Sequence, residues 1–90
     1  MKRVHLIISG DVQGVGFRAW TKRKAKECDV TGWVKNRDDG TVETVGEGEE
    51  ENLKEFIEFC HQGPDVSWVQ RVDIEWLPYA DEFVTFEVTY

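Results

Sequence analysis

The chain has 90 residues, enough for one small domain, and its 40% apolar residues include four Trp and five Phe to fill a modest core. Eleven Lys and Arg against 18 Asp and Glu leave a formal charge of −7, which argues against a general nucleic-acid binder. The first apolar run is too short for a secretory leader or a membrane span, so the expectation is a soluble, cytoplasmic protein.

In chain order, residues 3–9 alternate weakly and predict a strand, with His5 on a strand face and no partner that the sequence places beside it. A glycine-rich stretch follows, Gly10-Asp11-Val12-Gln13-Gly14-Val15-Gly16-Phe17-Arg18. Phe17, Trp20, Thr21, Ala25 and Cys28 then mark one face of a helix from residue 16 or 17 to 28. Residues 32–36 read as a second strand. Asn36-Arg37-Asp38-Asp39-Gly40 is a turn, and Asp39-Gly40 is a hairpin signal. The third strand, 41–48, has Val42, Thr44 and Gly46 on one side and Glu43, Val45 and Glu47 on the other. Gly46 inside it predicts a bulge or the close approach of a helix.

A second helix is announced by Leu53, Phe56, Ile57 and Cys60 on one face, by Glu49, Glu50 and Glu51 at its positive end, and by the stop Gly63-Pro64. Val66, Trp68, Val72, Ile74 and Trp76 fall in step with a period of two, predicting a strand over 66–77. Val84, Phe86, Val88 and Tyr90 predict a last one over 83–90. Trp33, Trp68 and Trp76 are expected as core or sheet-surface aromatics. Cys28 and Cys60 lack metal-ligand spacing and lie on the apolar stripes, so buried free thiols are expected. The order βαββαβ, with a possible extra strand, predicts an α+β fold, the ferredoxin-like α/β sandwich. Its antiparallel sheet would have four to five strands, with two antiparallel helices on one face, and residues 1–90 would form a single domain.

The glycine-rich stretch is where chemistry could reside. Glycines at a strand-to-helix turn let backbone N–H groups approach a ligand, and the positive helix end points at the same spot. A tight structural turn accounts for the glycines equally well. Arg18 shifts the reading, because a cation in the first turn opposes the helix dipole unless an anion lies between them. Its planar fork suits two phosphate oxygens.

Other phosphate loops fit poorly. Gly14-Val15-Gly16-Phe17-Arg18-Ala19 matches the loose dinucleotide pattern, but no run of βα units accompanies it. No Gly-Lys-Ser/Thr follows as in a Walker loop, and no Cys opens the loop to act as a phosphatase nucleophile. The aromatic-rich strand motif of RNA-recognition sandwiches is missing too.

What remains is an anion cradle without an evident nucleophile, histidine base or metal cluster. Such a site suits a carboxylic–phosphoric mixed anhydride. Its carboxylate leaving group has a conjugate-acid pKa of about 4 to 5 and departs without a general acid. Asn36 could hold the attacking water, since a carboxamide both donates and accepts. An Asn before a turn is more often only a turn residue.

These residues resemble the acylphosphatase family. One signature is Gly10 to Arg18 as quoted above. The other is Gly32-Trp33-Val34-Lys35-Asn36, followed by Gly40-Thr41-Val42 and Gly48. The similarity runs over essentially the whole chain. It implies metal-independent hydrolysis of acyl phosphates to a carboxylate and inorganic phosphate, by a cytosolic protein that is usually monomeric and needs no cofactor. Arg18 would bind the phosphate together with the backbone amides of Val12, Gln13, Gly14, Val15, Gly16 and Phe17. Asn36 would orient the water. Cys28-Asp29 and Ser67-Trp68 depart from the family's usual residues and bear on packing and acyl-group access. Two other expectations compete: a non-catalytic module that binds phosphate or a partner, and, against the net charge, an RNA-binding sandwich.

Overall fold

The computed structural model describes residues 1–90. Its elements are β1 (Lys2–Asp11), α1 (Phe17–Glu27), β2 (Thr31–Asn36), β3 (Val42–Gly48), α2 (Glu50–Gln62), β4 (Trp68–Leu77) and β5 (Phe86–Val88). Alternation along β1 puts Val4, Leu6 and Ile8 on one face, and all three are fully buried beneath the helices. Phe17 and Ala25 of α1 and Leu53, Phe56, Ile57 and Cys60 of α2 complete that core with Val34, Val42 and Phe86. The four residues predicted for the second helix's inner face are thus all in place. Gly46 is explained as well. A Cβ there would lie 2.9 Å from Val30 Cγ1 and 3.4 Å from Leu53 and Phe56, so its absence lets α2 lie close on the sheet.

The five strands run in the order β4-β1-β3-β2-β5. This is the expected ferredoxin-like sandwich, with one correction: β5 pairs with β2 in parallel, so the sheet is mixed rather than wholly antiparallel. The reason is topological. β3 is antiparallel to both β1 and β2, and β4 is antiparallel to β1. A strand that reverses the direction of β4 therefore runs the same way as β2.

The period-two run near the C-terminal end also misleads. β4 is an edge strand, and its register against β1 shifts between Ser9 and Gly10, leaving Gln70 as the extra residue. The bulge turns Val69 inward beside Val72 and flips Trp68 to solvent, where it is 62% exposed. Ile74 and Trp76 keep the inward phase but remain 43% and 42% exposed at the sheet's edge. The last strand is shorter than expected, and Val84 and Tyr90 stand outside it, exposed.

Between β4 and β5 the chain returns from one edge of the sheet to the other. Glu47 holds this crossing down. Its side chain is only 1% exposed, and its carboxylate accepts hydrogen bonds from the Ala80 N–H (2.8 Å), the Glu82 N–H (3.0 Å) and Arg3 (3.4 Å). Arg3 also pairs with Glu82 at 2.6 Å and lies over the Phe83 ring. A buried carboxylate is tolerated only when its oxygens are satisfied in this way. On β1, two residues after Arg3, His5 is a strand-face residue as expected and has a partner after all, the Glu43 carboxylate of β3 at 2.7 Å. Cys28 and Cys60 are free and buried, and burial pushes both thiols up, Cys28 to about 11. No helix is long and apolar enough to cross a membrane.

Candidate active site

The site begins where β1 ends. Gly14 and Gly16 have φ of 75° and 78°, the left-handed region in which a side chain is strained. A Cβ at either would meet nothing, so the demand is on backbone angle rather than space. Gly16 starts α1 with no side-chain cap and no acidic residue in the first turn. The first N–H groups of the helix thus have no partner within it, and its positive end is left unneutralised. Phe17 locks this turn into the core. Arg18, next in sequence, is directed out of the core to the surface of the same turn.

Gln13 ties the loop to the second signature. Its Nε2 donates to the Arg37 carbonyl at 2.8 Å and to the Thr41 carbonyl at 2.9 Å. Those carbonyls belong to the turn that follows Asn36, which is closed by the Arg37 N–H on Thr41 O at 2.9 Å. Asn36 itself ends β2 opposite Val42 of β3. A side chain from one motif therefore fixes the distance between the two motifs.

The result is one open hollow of about 400 Å³. The loop contributes Val12, Gly14 and Gly16 to its wall, and α1 contributes Phe17, Arg18, Ala19 and Lys22. Asn36 faces it from β2, and Val88 and Tyr90 close it from the C-terminal segment. Of the predicted residues, Gln13 and Val15 are not on the wall. Gln13 is the strut just described, and Val15 packs against the core. A second, more polar hollow of about 590 Å³ adjoins the first, with Asn36 and Tyr90 bordering both.

The electrostatics of the two differ. In the second hollow Lys35 pairs with Glu43 at 3.8 Å and Arg37 with Asp39 at 3.7 Å. No Asp or Glu lines the first, and neither Arg18 nor Lys22 enters any of the chain's nine ion pairs. Arg18 is steadied by other means. Its Nη1 is 3.5 Å from the Thr89 carbonyl, and its guanidinium lies 4.7 Å from the centre of the Tyr90 ring. Neither contact uses up the cation's charge. Sequence reasoning missed Val88, Thr89 and Tyr90, because only the parallel docking of β5 brings them to Arg18. Lys22 belongs to a run of cations, Arg18, Lys22, Arg23, Lys24 and Lys26, within nine residues, and the sequence alone does not separate it from a solvated helix face.

Residues 4–88 match the model of the acylphosphatase family. The chain is 48% identical over 90 residues to an acylphosphatase of Marinobacter nauticus, spanning 100% of this chain and 98% of that one. It is 44% identical over 88 residues to an acylphosphatase of Pelotomaculum thermopropionicum, spanning 98% and 96% of the two. The crystal structure of acylphosphatase from Bacillus subtilis superposes with a TM-score of 0.97 at 37% identity, over 100% of both chains.

Proposed function

This chain belongs to the acylphosphatase family, and from that premise we propose that Arg18 and the amides of residues 12–17 hold the substrate's phosphate while Asn36 orients the attacking water. The enzyme hydrolyses acyl phosphates to a carboxylate and inorganic phosphate. The observation that carries the residue assignment is that Arg18 and Asn36 face the same hollow of about 400 Å³, whose wall has no carboxylate to compete with a phosphate dianion.

In the proposed step, a water held by the Asn36 carboxamide forms a new bond to phosphorus. The bond from phosphorus to the acyl oxygen breaks, and its electron pair leaves with the carboxylate. The water's proton passes to a phosphate oxygen. The carboxylate is a good leaving group, so no general acid is required. The work left for the protein is positioning and charge stabilisation, which the uncapped helix end, the loop amides and the guanidinium supply. In this reading residues 1–90 act as one domain, monomeric and cytoplasmic, with no metal or organic cofactor.

Hydrolysis of benzoyl phosphate in ¹⁸O-water, with EDTA present, tests it. Label recovered in inorganic phosphate, at a rate unaffected by the chelator, is expected. Label in the benzoate would mean attack at carbon and would overturn the role of Asn36. Phosphate binding without turnover would instead identify a binding module.

A further inference from the structure

One cation on the wall of the hollow has no part in the reaction as proposed. Lys22 lies one helical turn beyond Arg18, so the two cations share a face of α1. It is half-buried and has no carboxylate partner. Its neighbours on the helix are engaged: Lys24 pairs with Glu27 at 3.4 Å and lies over the Trp20 and Phe59 rings, and Arg23 lies over Trp20. In a protein of net charge −7, a second cation without a carboxylate partner at the same opening adds to the local attraction for anions.

The two hollows give this a direction. Asn36 borders both, whereas Lys22 borders only the first. Entering and leaving oxygens in phosphoryl transfer lie roughly in line. With the water on Asn36, which borders the second hollow, the acyl group departs away from it, and Ala19 and Lys22 line the first hollow alone. We propose that Lys22 is a specificity-determining residue. It receives a second anionic group carried by the acyl moiety, a carboxylate or a phosphate, so that short acyl phosphates with such a group are preferred over neutral ones. This rests on Arg18 holding the transferred phosphate and Asn36 the water. A flexible ammonium serves either anion as a point charge.

Succinyl phosphate and butyryl phosphate form a matched pair, alike in length and differing in the terminal carboxylate. Lys22→Met is expected to lower kcat/KM for succinyl phosphate about fivefold more than for butyryl phosphate, mainly through KM, with the gap narrowing as salt rises. Lys22→Arg, which keeps the charge, should retain the preference. An equal loss on both substrates would assign Lys22 to the transferred phosphate, and an unchanged ratio would leave its ammonium in solvent. Either result overturns the inference while the hydrolytic reading stands. Failure of the unmutated protein to turn over either substrate would remove both.

Discussion

Glu47 and Arg18 are both charged groups drawn out of open water, and the protein answers their charges differently. Glu47 is matched completely: two backbone N–H groups of the chain segment that crosses the sheet and the guanidinium of Arg3 meet its oxygens. Arg18 has only a long contact to a carbonyl and an aromatic ring beneath it. A charge neutralised within the fold contributes to holding the fold. A charge left without a counter-ion, beside an uncapped helix end, is available to something that binds. The first belongs to stability and the second to catalysis, and substitutions should separate them.

The largest effect is expected from Arg18→Ala. It should lower kcat/KM by about a thousandfold or more, since it removes the main charge on the phosphate, while the urea midpoint stays near that of the parent protein. A large loss of stability would break the comparison by making Arg18 structural. Asn36→Ala should come next, with kcat down by about a hundredfold and KM little changed, as for a group that acts mainly in the transition state. Steady-state kinetics on benzoyl phosphate reads both.

Glu47→Ala should show the opposite pattern. Losing a buried acceptor strands the Ala80 and Glu82 N–H groups and leaves Arg3 with Glu82 alone, so urea unfolding should report about 2–4 kcal/mol of destabilisation. At temperatures where the variant is folded, kcat/KM should remain within about twofold of the parent value, because Glu47 and Val42, the partner of Asn36, lie near opposite ends of β3. Glu47→Gln should cost less, since its amide oxygen can still accept one of the two bonds.

The smallest effect sharpens the same contrast at an exposed carboxylate. Asp39 accepts from the Thr41 hydroxyl at 2.6 Å and the Thr41 N–H at 3.1 Å, and these bonds hold its carboxyl below its ordinary value. On acidification the unfolded chain takes up the proton first. The bonds therefore contribute in full above the ordinary carboxyl pKa of about 3.9, and that contribution is lost as pH falls through the lower folded value. A small gap in urea midpoint between the parent and Asp39→Ala, present at neutral pH and closed in strong acid, is the expected result.

Much of this molecule could be read before any coordinates. Leu53, Phe56, Ile57 and Cys60 announced a helix and the face it buries, because helical periodicity is local. Gly46 announced a close packing partner, since a missing side chain in a strand usually has a spatial cause. The two signatures pointed to Arg18 and Asn36, through turn chemistry, charge at a helix end and family resemblance. The phase of Trp68 with Val72, Ile74 and Trp76 was misread because one bulge residue, Gln70, reverses the phase of everything before it on that strand, and nothing near Gln70 in the chain signals the shift.

The amino-acid sequence by itself determined the order of the elements, the inward faces of the two helices and of the first strand, and the two motifs, all of which follow from interactions within a few residues. Only the tertiary structure decided what surrounds them. The parallel seat of β5 carries Tyr90 and Thr89 to Arg18, the strut from Gln13 sets the span to Asn36, the returning chain buries Glu47, and the hollow leaves Lys22 without a counter-charge. These contacts join residues far apart in the chain, with Arg18 and Thr89 separated by 71 positions. Their energies depend on burial and on which strand lies beside which, and the assembled sheet sets both.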